Sequence, residues 1–346
     1  MVKKRPRLAD VARLVGVSEA TVSVVMNNRV GESARISPAT QQRVWDAVRE
    51  LGYVANPMAR SLAGGRNHIM SVFTFEQIFP LTYGNFYYPF LIGIEEEASR
   101  QGYDLLLSTR VNNKGQHCIY ENGVNRLQVA DGAILLGYGD RKGVNKLSEE
   151  GFPFVFVGRR ESSNDDISYA AGDYTAAVIE VVKNVVAFGH QKIAYIRTNR
   201  TDESALDRAA GFTKAQDQFQ YDPTTWQGEY HEFTVDVVQS LLNEGNTAFL
   251  LEDDSFGEQL VNHSQLLNKQ LPSDFSMVVL GDPLNEQTLD YTWADFKVPR
   301  LEMGREAVRL LIKILESPKN TLDLPVRVVV PCRFNKGDTL GTVPKD

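Results

Sequence analysis

Leu8-Ala9-Asp10-Val11-Ala12-Arg13-Leu14-Val15-Gly16-Val17-Ser18-Glu19-Ala20-Thr21-Val22-Ser23-Val24-Val25-Met26 is the stretch on which the reading of this 346-residue chain turns. Leu8, Val11, Ala12 and Val15 stand three and four residues apart, the spacing of a helix with one apolar face, and Gly16 stops it. Ser18 then has the chemistry of an N-cap, its hydroxyl able to take a free amide at the start of a second helix from Glu19 to Met26. The turn Val15-Gly16-Val17 has the length of a helix-turn-helix connection, in which the second helix is the one that enters a groove of DNA. Downstream, Ser37-Pro38 opens a third helix with a cap and a first-turn proline, Val44, Val48 and Leu51 give its core stripe, and Gly52 closes it. Residues 1–55 are therefore expected to form a tri-helical DNA-binding head.

Working outward, Asn56-Pro57 starts one or two helical turns that end at Gly64-Gly65, so 56–66 is expected to be a hinge helix and linker. Alone in water so short a helix is unstable, and it forms only where a partner or DNA offsets its ordering. The charge distribution agrees with a head that meets a polyanion. Residues 1–66 carry eleven Lys/Arg against five Asp/Glu, net +6, while the chain as a whole carries −7 and the remainder therefore −13.

Beyond His68 apolar runs of strand length alternate with helical periods: Ile69 to Phe75, Phe86 to Gln101, Tyr103 to Ser108, Ala133 to Leu136, Phe154 to Val157, then Ala176 to Phe188, Ile193 to Ile196, Ala205 to Phe219, Trp226 to Tyr230, Val235 to Leu242, Ala248 to Leu251 and Met277 to Leu280. This order predicts parallel sheets covered by helices, in two α/β lobes. Ligands of such sheets bind beyond the carboxyl ends of the strands, which singles out Arg197, Asp253 and Asp282, with Arg208 on the following helix. Phe75, Phe86 and Arg159 are the corresponding candidates of the first lobe. Arginine donors, carboxylate acceptors and aromatic faces suit a polar neutral molecule such as a sugar or a nucleoside.

Asp10-Val11-Ala12, Gly16-Val17-Ser18, Ala20-Thr21-Val22-Ser23, Leu51-Gly52-Tyr53, Asn56-Pro57 and Ala59-Arg60-Ser61-Leu62 resemble, in order and spacing, the lactose-repressor/galactose-repressor (LacI/GalR) family of bacterial transcription regulators. The resemblance continues through Gly189-His190-Gln191-Lys192-Ile193, Arg208-Ala209-Ala210-Gly211-Phe212 and Glu302-Met303-Gly304-Arg305. It implies a periplasmic-binding-protein-like body of residues 67–346, with lobe 1 over 67–169 and 297–325 and lobe 2 over 170–296 and 326–346. It puts Arg208, Asp253 and Asp282 in the cleft, with Tyr230 where an aromatic residue often meets ligand. On the DNA side it implies that the helix from Glu19 lies in the major groove, and that paired hinge helices wedge Leu62 into the minor groove, near Asn56, Ala59 and Arg60. Ser18, Thr21, Ser23 and Asn27 are then placed for phosphates and base edges, and Glu19, Ala20 and Val24 for readout. Val24 departs from the family, which usually has an arginine there, and predicts half-sites unlike the family consensus.

The implied protein is a cytoplasmic, homodimeric regulator, taken as a repressor, that binds operator DNA and a small effector, with no cofactor. A DNA-binding protein of purely architectural role is the alternative. No run of about 18 apolar residues predicts a membrane span, and Cys118 and Cys332 form no thiolate metal site or disulfide framework. The five histidines have no metal-ligand spacing, and neither a nucleophile elbow nor a phosphate loop is present, so catalysis is not expected.

Overall fold

A computed structural model describes residues 6–26, 36–53, 66–79, 86–162, 167–283, 292–317 and 325–344. The chain divides into two compact units, Met1–Ile69 and Met70–Asp346.

The first unit contains α1 (Leu8–Val15), α2 (Glu19–Met26) and α3 (Pro38–Leu51). Val11, Ala12, Val15, Val22, Val25, Val44 and Ala47 make its core, and Leu8, Val48, Leu51 and Tyr53 pack around them. The caps read from sequence form. Gly16 takes the left-handed conformation at φ 75°, with its amide donating to the Ala12 carbonyl at 2.9 Å. Ser18 Oγ accepts from Thr21 N at 3.1 Å, and Ser37 Oγ from Thr40 N at 3.2 Å. Sequence reasoning missed one tie: Arg43 of α3 donates to the Val15 carbonyl at 2.6 Å, so a guanidinium covers the open end of α1 and fixes the turn.

The second unit begins with β1 (Ile69–Thr74), α4 (Tyr88–Arg100), β2 (Asp104–Ser108), a hairpin of β3 (Tyr120–Glu121) and β4 (Val124–Asn125), β5 (Gly132–Leu136), α5 (Arg141–Glu149), β6 (Phe154–Val157) and β7 (Tyr169–Gly172). It continues with α6 (Tyr174–Ala187), β8 (Lys192–Arg197), α7 (Glu203–Gln218), β9 (Asp222–Gln227), α8 (Val235–Asn243), β10 (Ala248–Leu251), α9 (Asp254–Leu266), β11 (Ser276–Val279) and β12 (Ala294–Lys297). It closes with α10 (Arg300–Glu316), β13 (Arg327–Val330) and β14 (Arg333–Asn335).

Two six-stranded sheets result, ordered β13-β7-β6-β5-β1-β2 and β14-β12-β11-β10-β8-β9. Strands β5, β6, β10 and β11 are buried at every residue, as parallel strands with both faces covered must be. The registers that hold them are parallel, whereas β12 pairs with β14 antiparallel. The chain passes between sheets three times, after Gly172, Lys297 and Val330. Two of these crossings fall a few residues later than the lobe limits expected at 169 and 325, because β7 and β13 pair with each other over Tyr169–Gly172 and Arg327–Val330 before the chain leaves. The apolar run expected from Trp226 to Tyr230 is also displaced. The edge strand covers Asp222–Gln227, and Tyr230 sits in a single helical turn beyond it.

Helices α4 and α10 pack against each other on the first sheet through two glycines. A Cβ on Gly304 would lie 2.3 Å from the Phe90 carbonyl oxygen, and one on Gly93 would lie 2.0 Å from the Leu301 carbonyl oxygen, so only glycine permits this approach.

Candidate functional site

On the head, Val22 and Val25 turn α2 inward and leave its amino-terminal end to solvent. Ser18, Glu19 and Ala20 are exposed, and Thr21, Ser23 and Val24 are half-buried. Ser18 Oγ also lies 2.9 Å from Thr21 Oγ1, so the cap fixes two of the candidate polar contacts together. The expected contacts of Asn27, Asn56, Ala59, Arg60 and Leu62 lie outside the described residues.

In the body, a cavity of about 720 Å³ opens where β1, β5, β6 and β8 end. Its walls include Glu76, Phe86, Tyr87, Phe90, Tyr138, Arg159 and Arg160 from the first lobe and Tyr174, Asn199, Arg200, Asp202 and Asp207 from the second. The lining carries three arginines and three carboxylates, each already partnered. Arg159 Nε donates to Asp207 at 2.9 Å, and its Nη1 pairs with Glu161. Burial works against the Arg159 charge, yet Asp207 and Glu161 outweigh it and hold the guanidinium above its ordinary range. Arg200 Nε donates to Asp202 at 2.7 Å. Asp202 also caps α7 through Ala205 N, at 3.3 Å, and accepts from Ser204 Oγ at 2.6 Å. Burial raises the Asp202 carboxyl, but these donors and the Arg200 charge bring it below the usual carboxylate range. Tyr87 donates to Glu76 at 2.6 Å, and burial together with that bond drives its phenol far above its ordinary pKa.

Of the eight residues expected at the ligand, Phe86 and Arg159 line this cavity. The other six are not part of its lining, and each has a local task. Phe75 lies edge-on to Phe73 and stacks on Phe156, at centroid distances of 5.0 and 6.1 Å. Arg208 donates to the Leu280 carbonyl at 2.6 Å and the Ser204 carbonyl at 2.9 Å, with its guanidinium 4.2 Å from the ring of Tyr174. Asp282 accepts from Val298 N at 3.1 Å and pairs with Arg300 at 2.9 Å, which in turn lies 5.1 Å from the ring of Phe86. Tyr230 donates to Asp253, whose other oxygen caps α9 through Ser255 N at 3.0 Å. Arg197 Nη2 reaches the Arg200 carbonyl at 3.3 Å. Arg208 is thus one residue away from the cavity, through Tyr174, and Asp282 two, through Arg300 and Phe86.

Tyr87, Tyr138, Arg160, Asn199, Arg200, Asp202 and Asp207 were missed. The strand-end rule points at several of them, since Tyr138 follows β5 by two residues and Asn199 to Asp202 follow β8, but only if each whole loop is read and not its first residue.

Two chemical habits meet here: paired charges that need no ionic partner, and aromatic rings that cover C–H surface. Comparison with known proteins gives them a context. Residues 7–56 match the family model of bacterial regulatory proteins, lacI family, and 182–340 match that of the periplasmic binding protein-like domain. The HTH-type transcriptional regulator CelR of Thermobifida fusca is 28% identical over 338 residues, covering 95% of this chain and 96% of its own. Catabolite control protein A of Priestia megaterium is 27% identical over 335 residues, covering 94% and 96%. Among solved structures, a CelR–cellobiose complex superposes with a TM-score of 0.61 at 25% identity, over 97% of this chain and 100% of that one. The lac repressor dimer bound to operator and the anti-inducer ONPF superposes with a TM-score of 0.71 at 22% identity, over 98% and 100%. The chain thus carries a helix-turn-helix head that matches the lacI family of bacterial regulatory proteins and a body that matches the periplasmic binding protein-like domain, and over nearly its whole length it is similar to transcriptional regulators.

Proposed function

We propose that this protein is a cytoplasmic, ligand-controlled transcription regulator, a repressor in action, that binds a near-palindromic DNA site as a homodimer and senses a neutral sugar. The observation that carries the ligand reading is the cavity itself, in which Arg159 and Arg200 are satisfied by Asp207 and Asp202 while Phe86, Tyr87, Phe90 and Tyr138 offer ring surface. A free anion would have to displace a carboxylate, whereas hydroxyl groups can join the existing hydrogen bonds. That a relative is solved with cellobiose is consistent with this choice. Arg208 and Asp282 act on the ligand through the aromatic residues they support, and Ser18, Glu19, Ala20, Thr21, Ser23 and Val24 meet the DNA. Residues 56–66, with Asn56, Ala59, Arg60 and Leu62, form the hinge that the partner's hinge completes. The edge strand β2 supports the dimer reading, since it leaves Leu106 and Leu107 exposed.

Selection of duplexes from a random pool, with and without a set of disaccharides, tests the proposal. The expected result is one enriched two-fold site whose affinity changes about 5- to 150-fold with a single sugar. Salt-sensitive binding with no enriched sequence would instead assign an architectural role.

A further inference from the structure

The two lobes of the body are joined at the rim of the cavity by ion pairs that no ligand supplies. Glu203 opens α7 in the second lobe, its side chain is 2% exposed, and both of its carboxylate oxygens are used on the first lobe. Arg160 Nη1 donates to Oε2 at 3.2 Å, Glu161 N donates to Oε1 at 3.2 Å, and Arg141 Nη2 lies 3.7 Å from Oε1. One helical turn further along α7, Asp207 takes Arg159 Nε at 2.9 Å, and Arg159 Nη2 returns to the Glu203 carbonyl at 3.3 Å. Arg160 is no loose surface charge. It donates to the Gly137 carbonyl at 2.5 Å and the Arg159 carbonyl at 2.7 Å, with the ring of Phe156 5.2 Å away.

A carboxylate this far from water is costly to leave unpaired, and its partners sit on a different sheet. We infer that Glu203, seated in the socket of Arg160, Arg141 and the Glu161 amide, is the tongue of an ionic latch that holds the lobes at their present closure before any ligand enters. Arg159, Arg160 and Asp207 line the cavity as well as the latch, so separating the lobes and opening the cavity are the same event. Exposed pairs would be screened by salt, but a pair with one member buried is screened much less. The latch rests on this chain's own residues, and its failure would leave the proposed regulatory function untouched.

Amide hydrogen exchange on the full-length protein, without ligand or DNA, tests it. In Glu203→Gln the amides of 158–162 and 137–139 on the first lobe, together with the first turn of α7, are expected to exchange about tenfold faster, with the amides of β10 and β11 unchanged. The double variant with Arg160→Gln is expected to be no faster than either single one, as two halves of one contact require. Acceleration confined to α7 would mean a frayed helix end and overturn the latch. If Glu203→Gln does not fold, Asp207→Asn serves, with about threefold acceleration expected in the same first-lobe segments. Unchanged exchange across the cleft in that variant overturns the proposal equally.

Discussion

In the head, the charged side chains with described pairs lie outside the core, as in Arg13 with Asp10 at 3.4 Å, where the arginine is 78% exposed. In the body, guanidinium groups around the cavity are drawn inward, as in Arg300 with Asp282 at 2.9 Å, each partner 13% exposed. Exposed pairs contribute about 0–1 kcal/mol and are easily exchanged for another anion, whereas a half-buried pair strands its partner when broken. The contrast assigns different work to the same residue type. Head cations such as Arg13 and Arg49 stay exposed to solvent, as the proposed contact with phosphates requires, while body cations tie strand ends and helices together. One group crosses this division, since Arg43 is a head arginine spent on a backbone carbonyl.

The largest test of that independence is Gly304→Val. Its Cβ would stand 2.3 Å from the Phe90 carbonyl oxygen, so α4 and α10 must separate. The body is expected to lose more than about 3 kcal/mol by denaturant unfolding, with the head transition in place. A matched loss in both transitions would show the units to be coupled. Next is Val44→Ala in the fully buried centre of the head, expected to cost about 2 kcal/mol in the head transition alone. Arg43→Met comes third, at about 1.5 kcal/mol for a lost charged hydrogen bond. Its DNA affinity should fall with the salt slope unchanged, whereas loss of a phosphate-binding arginine lowers that slope by about one unit. A reduced slope for Arg43→Met would move this residue into the DNA contact set.

The smallest effect is a pH dependence of the body. His190 is fully buried, with ring nitrogens 3.0 Å from Thr247 Oγ1 and 3.1 Å from the Gly341 carbonyl. Burial lowers its pKa below the ordinary 6.5, although the Gly341 carbonyl partly opposes this. The unfolded chain therefore binds more protons below that value, and the contribution is complete above 6.5 and lost as pH falls toward the folded pKa. Body melting should decline as the pH falls below 6.5, and His190→Gln should flatten that decline.

The head was legible because its stops and caps are made locally: Gly16, Ser18, Ser37 and Gly52 each act within a few residues of themselves. The parallel strands were legible for another reason, since a run such as Phe154–Val157 is buried throughout and must read as continuously apolar. Strand β7 escaped because Tyr169-Ala170-Ala171-Gly172 has no branched side chains, and its place comes from pairing with a strand about 160 residues on. Helix α5 escaped because only Val144 and Leu147 of its apolar residues turn inward and its cap, Asp140, sits at a positive φ of 38°. The cavity was the least legible part. Spacing places Asp282 at a strand end and Arg208 on a following helix, but nothing in the sequence reveals that their acceptor and donor are taken up by the Val298 amide and the Leu280 carbonyl.

The position of β13 has a consequence for how the protein is made. Among the described residues the head core uses side chains no later than Tyr53, so it can fold before most of the chain has been made. The first sheet is completed by Arg327–Val330, and its covering helix α10 ends at Glu316, so the first lobe waits for almost the whole message to be translated. Synthesis therefore delivers a finished head on an unfinished body. A chain stalled before residue 300 therefore carries the finished three-helix head but lacks both the covering helix and the last strand of the first sheet.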